Sequence, residues 1–188
     1  MEKNLNRRIL ENSAILLIDM QEKLINAMPE SINAVIKQQK ILLTAIELLN
    51  LKLIVTEQYP KGLGNTIQPL KNILQQKTKI FEKNTFSCLG SSEVKNHLNN
   101  SNIKTVILAG IETHVCVLQT ALDCIDEGYQ VIMLKDAVNS RHTIDKETAF
   151  ETAASNGVIF MTVESLLFML MKDSKHEAFR KVSKLLVS

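Results

Sequence analysis

Apolar runs that do not alternate constrain this chain more than any other feature. Ser13–Asp19, Leu51–Thr56, Thr78–Glu82, Lys104–Ala109, Tyr129–Leu134 and Gly157–Thr162 each read as a short strand. In the clearest of them, Ala14–Ile18 and Val106–Ala109, every residue is apolar. A strand apolar on both faces is a strand covered on both faces. Segments with helical spacing lie between the strands. The longest, at about 31–50, carries Val35, Ile36, Leu42, Leu43, Ile46 and Leu49 in one stripe. Others fall at about 92–99, 113–127, 144–155 and 163–171. Strands alternating with helices predict an α/β fold, a three-layer α/β/α arrangement around a central six-stranded parallel sheet. Nothing marks a linker or a repeat, so residues 1–188 read as one domain ending in a helical tail, 173–188. In that tail Phe179, Val182, Leu185 and Leu186 are helically spaced, for packing on the sheet or for contact with another subunit.

Bulk properties exclude several classes. Of the 188 residues 45% are hydrophobic and 22% charged, which is ordinary for a soluble globular protein. A net charge of +2, with lysines scattered and few aromatics among them, gives no reason to expect a nucleic-acid partner. No segment approaches the roughly 20 apolar residues of a membrane span, so no membrane partner is expected. The run Ala14–Ile18 is too short for a secretion signal and stops at Asp19. Cys88, Cys116 and Cys124 are odd in number and show no metal-binding spacing. Cys116 and Cys124 would lie about 12 Å apart along one helix, too far for a disulfide. Reduced thiols and a cytoplasmic location are the expectation.

Thr105–Leu122 is the stretch with chemistry in it. A buried strand meets Gly110, which permits a sharp turn, and helical spacing begins near Thr113 with Val115, Leu118 and Leu122. Cys116 therefore falls in the first turn of a helix leaving a buried strand. Unpaired N–H groups and the positive end of the helix dipole gather there, lowering a thiol's pKa and offering donors to an oxyanion. The other reading is a small buried cysteine packing helix on sheet. Active sites of parallel sheets lie beyond the carboxyl ends of the strands. Asp19, Lys83 and Cys116 all follow such ends closely. Read singly, Asp19 is also a helix N-cap and Lys83 a solvated loop lysine.

Four pieces in order carry a resemblance: Leu16-Leu-Ile-Asp19-Met-Gln21, Phe81-Glu-Lys83-Asn-Thr-Phe-Ser87, Gly110-Ile-Glu-Thr-His-Val-Cys116-Val117 and Val131-Ile-Met-Leu-Lys-Asp136-Ala-Val138. The chain resembles the isochorismatase-like cysteine hydrolase superfamily, which includes nicotinamidases and N-carbamoylsarcosine amidases. Within it, Thr56-Glu-Gln-Tyr-Pro-Lys-Gly-Leu-Gly64 and His176-Glu-Ala-Phe-Arg-Lys181 are similar to the isochorismatase-domain-containing proteins. The resemblance implies a Rossmann-like fold and a triad. Cys116 would be the nucleophile, Asp19 its proton acceptor, and Lys83 the cation that favours the charged forms of both. It also implies a cis peptide at Ile111–Glu112 and an oxyanion hole of the backbone N–H groups of Glu112 and Cys116. A homo-oligomer and a small-molecule substrate follow in the same way.

The departures narrow the substrate. Nicotinamidases carry an Asp-x-His metal motif after the second strand, where this chain has Thr56-Glu-Gln, so no metal or other cofactor is expected. Glu57 alone would not make a metal site. Gln21, Tyr59, Thr85, Phe86 and His114 are candidate substrate contacts by position, and each reads equally well as structural. Arg141 and His142 would lie at the rim. Hydrolysis of a small amide-like C–N bond through a thioester is the function expected. A silent member acting as a binding or scaffolding protein, or a thiol-redox role for Cys116 with Cys88, are the alternatives.

Overall fold

A computed structural model describes residues 5–75 and 78–187. Residues 1–4 and 188 of the expected domain span lie outside them. Six strands form one sheet: β1 (Ser13–Ile18), β2 (Lys52–Gln58), β3 (Ile80–Lys83), β4 (Thr105–Ile111), β5 (Gln130–Asn139) and β6 (Ile159–Met161). Their spatial order is β3-β2-β1-β4-β5-β6, and every neighbouring pair is parallel. The chain starts in the middle, builds outward through β2 to β3, then crosses back to β4 and builds the other way. The order therefore reverses between β1 and β4, where parallel sheets open a crevice at their carboxyl edge.

Alternate residues of β1 feed two cores. Ile15 and Leu17 face one layer with Leu42, Leu43 and Ile46 of α2 (Ile32–Leu48) and Leu166 and Leu167 of α8 (Val163–Met171). Ala14, Leu16 and Ile18 face the other, with Val94 and Leu98 of α5 (Ser92–Asn99) and Ala121 and Cys124 of α6 (Leu118–Asp126). Both faces of the sheet are thus dry, which is why its strands lack polar alternation. The tail forms α9 (Phe179–Leu186), whose Val182 is fully buried; Phe179, Leu185 and Leu186 pack on the α2 and α8 side. The tail therefore packs against two helices of its own chain, α2 and α8.

Several boundaries differ from expectation. Residues 57–66 read as loop, yet they hold α3 (Pro60–Leu63), and α4 (Gln68–Lys71) follows; α1 (Glu22–Asn26), by contrast, falls where a short helical stretch before Pro29 is expected. Both α3 and α4 have a proline in their first turn, where its fixed φ suits a helix start. β5 runs on through Lys135 and Asp136, which sequence alone makes a loop. Its register with β4 slips there: Leu108 pairs with Met133 but Gly110 with Val138. The bulge turns Asp136 toward α8, where its carboxylate accepts from Val163 N at 3.0 and 3.1 Å. The helix of α7 (Thr143–Ser155) completes the set on the far side of β5.

Gly110 is the position that cannot carry a side chain. Its φ is +132°, and a Cβ built there would sit 2.2 Å from the carbonyl oxygen of Ile18, its partner on β1. The absence of that atom lets β1 and β4 approach where their carboxyl ends must form one site.

Candidate active site

Asp19 is the first residue beyond β1 and adopts φ +53°, a left-handed conformation that aspartate tolerates better than most residues. The backbone turn keeps its carboxylate fully buried. Oδ1 accepts from Thr56 Oγ1 at 2.7 Å, and Oδ2 accepts from Lys83 Nζ at 2.6 Å. Lys83 is the last residue of β3 rather than a loop residue, and β2 lies between its strand and that of Asp19. Its side chain reaches across, and both members of the ion pair are 0% exposed. The ammonium also donates to Gln58 Oε1 at 2.7 Å and to the carbonyls of Thr85 and Phe86 at 3.2 and 3.0 Å.

Cys116 arrives from the other side of Asp19. Beyond β4 the peptide Ile111–Glu112 is cis, and Thr113–Val117 form a π turn that runs into α6. The Glu112 carbonyl accepts from Val115 N at 3.1 Å and from Val117 N at 3.2 Å. Within this turn Cys116 is buried, and the charges of Asp19 and Lys83 both act on its thiol. The three expected residues are therefore brought together, Asp19 and Lys83 in direct contact and the thiol within reach of both charges.

The electrostatics correct one expectation. A helix start was expected to lower the Cys116 pKa. Burial, and then the Asp19 charge, instead push it up to about 12, against a smaller lowering by Lys83. Desolvation of a thiolate outweighs the partial charge of a turn. At neutral pH the Cys116 side chain is accordingly a neutral thiol. Burial alone would lower Lys83, but the carboxylate of Asp19 leads the opposing charges and holds it above its usual range. Burial also pushes Cys88 up to about 11.

These shifts have one sign. The unfolded chain releases thiol protons near 9.0 and lysine protons near 10.5, while the folded chain keeps them to higher pH. Between those limits the unfolded state binds fewer protons, so stability present below about pH 9 is lost as pH rises toward 11–12. The urea midpoint is expected to fall steadily from about pH 8.5 to 11, and a flat profile would contradict the burial of these groups.

The weaker candidates separate. Gln21 does not face a cleft. Its buried amide pairs with the backbone of Gln58, donating to the carbonyl at 3.0 Å and accepting from the N–H at 2.7 Å, and donates to Gly64 O at 2.7 Å. It is a strut. Thr85 is also committed, its hydroxyl donating to Ser87 O at 2.8 Å. Tyr59 and Phe86 are 55% and 54% exposed, beside the two ends of the Lys83 loop: Tyr59 N donates to Lys83 O. A pocket of about 210 Å³ lies there, lined by Tyr59, Pro60, Lys61, Glu82, Lys83 and Asn84. Larger pockets of about 350 and 380 Å³ flank α2 and hold no triad residue.

His114 Nδ1 lies 3.0 Å from Ser140 Oγ, and Nε2 lies 3.7 Å from Asp145. The Glu112 carboxylate turns to Arg141, accepting from Nε at 2.5 Å and from the backbone N at 3.3 Å, which ties the residue after β4 to the one after Ser140. Glu57 accepts twice from Thr66, so its carboxylate is occupied. Sequence reasoning missed Thr56, Gln58 and Thr120. The signal for the first two was available: alternate residues at the end of a strand share a face, and Thr56 and Gln58 flank Glu57, which is buried against Thr66 instead.

Comparison with known proteins agrees with this fold. Residues 13–165 match the isochorismatase domain family. Isochorismatase family protein 1B of Dictyostelium discoideum is 39% identical over 97% of this chain and 89% of its own length. The secreted isochorismatase effector Isc1 of Phytophthora sojae is 37% identical over 98% of this chain and 89% of its length. The structure of MAR1 ribonuclease from Caenorhabditis elegans is similar with a TM-score of 0.89 and 38% identity, over 95% of this chain and 91% of that one. YcaC of Escherichia coli, described as an octameric hydrolase of unknown specificity, shares the fold with a TM-score of 0.87 at 21% identity, over 94% and 87% of the two chains.

Proposed function

As the chain belongs to the isochorismatase family, we propose that it is a cysteine-dependent hydrolase of a small amide-like C–N bond. The observation that carries this reading is the buried Lys83–Asp19 pair, whose two charges both act on the buried Cys116 thiol. Sγ attacks the carbonyl carbon while its proton passes to Asp19, so the thiolate forms only as it reacts. The oxyanion develops against the N–H groups of Glu112 and Cys116. As the C–N bond breaks, Asp19 returns the proton to the leaving nitrogen and a thioester remains. Asp19 then takes a proton from water, which attacks the thioester; the C–S bond breaks and the sulfur regains its proton. Lys83 stays charged throughout and offsets the negative charge that moves between sulfur and carboxylate. Tyr59 and Phe86 supply apolar surface at the rim for a small planar substrate. A homo-oligomer in the cytoplasm belongs to the same reading, and the three free thiols support the compartment.

A second reading comes from the neighbour described as a ribonuclease. The chemistry favours the first, because a neutral thiol beside a carboxylate suits acyl transfer, and a phosphodiester has no carbonyl for it to attack. The test is intact-protein mass spectrometry after exposure to p-nitrophenyl acetate and to a panel of primary amides and N-carbamoyl amines, with ammonia release followed in parallel. An acyl adduct on Cys116 that hydroxylamine removes, and turnover lost in Cys116→Ser, are expected. RNA cleavage that persists in Cys116→Ser, with no adduct on Cys116, would overturn the reading in favour of the second.

A further inference from the structure

The mechanism leaves Cys88 unused, although it is completely buried behind the triad. It lies in a single 3-10 turn, Cys88–Gly90, at the end of the loop that follows Lys83. Two threonines connect it to the reacting groups. Its backbone N–H donates to Thr120 Oγ1 at 2.9 Å, and that hydroxyl donates to the carbonyl of Cys116 at 2.6 Å. Its Sγ lies 3.8 Å from Thr56 Oγ1, which donates to Asp19 Oδ1. Thr56 and Thr120 are themselves fully buried, so water does not substitute for either hydroxyl.

Resting on the triad reading above, we propose that Thr56 is a positioning residue, and that Cys88 braces it against the nucleophile's turn through Thr120. The geometry gives each part a task. Lys83 holds one carboxylate oxygen of Asp19 and Thr56 the other, so the carboxylate plane cannot rotate and the thiol meets a fixed acceptor. With the Thr56 hydroxyl gone, the carboxylate is held on one side only and swings toward the ammonium. Proton transfer then slows, because it depends steeply on alignment. Cys88 is suited to the brace because burial keeps it a neutral thiol, which neither repels Asp19 nor competes with Cys116. Alanine there would leave a gap against Thr56. A serine would keep a polar atom in place.

The test uses p-nitrophenyl acetate as the acyl probe on the intact protein, with p-nitrophenolate release measured at saturating and limiting ester. Thr56→Val, nearly isosteric, is expected to lower kcat about tenfold with KM within about twofold, as for loss of a hydrogen bond to a charged group. Thr56→Ser is expected to recover most of that loss. Cys88→Ala is expected to lower kcat about threefold in the wild type and to add little in Thr56→Val, because coupled residues are not additive. If Thr56→Val does not fold, Thr56→Ala against Thr56→Ser carries the same comparison. A kcat within twofold of wild type in the variant lacking the hydroxyl, or a serine variant as slow as valine, would overturn the proposal. Lys83→Ala is run beside them. If acylation of Cys116 ignores Lys83, the triad itself fails; if it depends on Lys83 but not on Thr56, only this inference does.

Discussion

Lys83→Ala is expected to destabilise the fold by about 3–5 kcal/mol and to remove acylation of Cys116. The two effects share one cause. Asp19 and Lys83 meet at 2.6 Å with neither side chain exposed, so removing the ammonium leaves a carboxylate in a dry site with the Thr56 hydroxyl as its remaining donor among the described residues. An unpaired buried charge is far more costly than a missing surface pair. The loss is a large share of the roughly 5–15 kcal/mol that holds a typical domain together. Chemically, Lys83 is the one group that acts to lower the Cys116 pKa through its charge. Without it, a thiol already held near 12 rises further, and proton transfer to Asp19 gains no compensation. Urea unfolding reads the first effect and acyl-adduct mass the second. The double variant Lys83→Met with Asp19→Asn is expected to regain much of the stability and none of the chemistry, because it removes both charges together. A urea midpoint unchanged in Lys83→Ala would show that the pair is not buried.

Gly110→Ala is the second large effect, and it acts through the backbone. The added methyl would lie 2.2 Å from Ile18 O and 2.7 Å from Ile18 N, both backbone atoms of β1 in register with it. Neither can retreat without breaking the β1–β4 ladder, the centre of the sheet. A φ of +132° adds strain of its own for any residue with a Cβ. Loss above about 4 kcal/mol, read as insoluble or unfolded protein, is the expected outcome. Gly128→Ala is the control: its φ is +86°, but nothing lies within 4 Å of the new atom, so only the backbone penalty of about 1–2 kcal/mol applies. Similar losses at the two positions would mean that the close approach of β1 and β4 carries little weight.

Much of this was legible before any coordinates. Unbroken apolar runs at Ala14–Ile18 and Val106–Ala109 identified a sheet covered on both sides, and strand-end positions together with the family resemblance pointed to Asp19, Lys83 and Cys116 as one candidate site. Boundaries failed where polar residues hid a strand. Lys135 and Asp136 ended β5 on paper, whereas a bulge accommodates them in the structure. The roles of Gln21 and Glu57 were hidden for a different reason. A buried amide or carboxylate beside a catalytic residue has the same local sequence whether it faces a ligand or a backbone, and only the partners, Gln58 and Thr66, decide. The Cys116 environment was misjudged because position on a helix is local while desolvation depends on everything packed around the sulfur. Thr120 was invisible for the same reason: its partners lie 4 and 32 residues away.

The strand order has a bearing on how the chain becomes reactive as it folds. Lys83, Thr56, Asp19 and Cys116 come from the ends of β3, β2, β1 and β4, four adjacent strands whose parallel pairings each join residues far apart in sequence. Such non-local pairings form slowly, after helices and loops have settled. No fragment holding one or two strands contains both a charge partner for Asp19 and the thiol that uses it. A newly made or partly unfolded chain therefore exposes cysteines of ordinary reactivity, and the candidate site is complete only when the last of the four strands has docked.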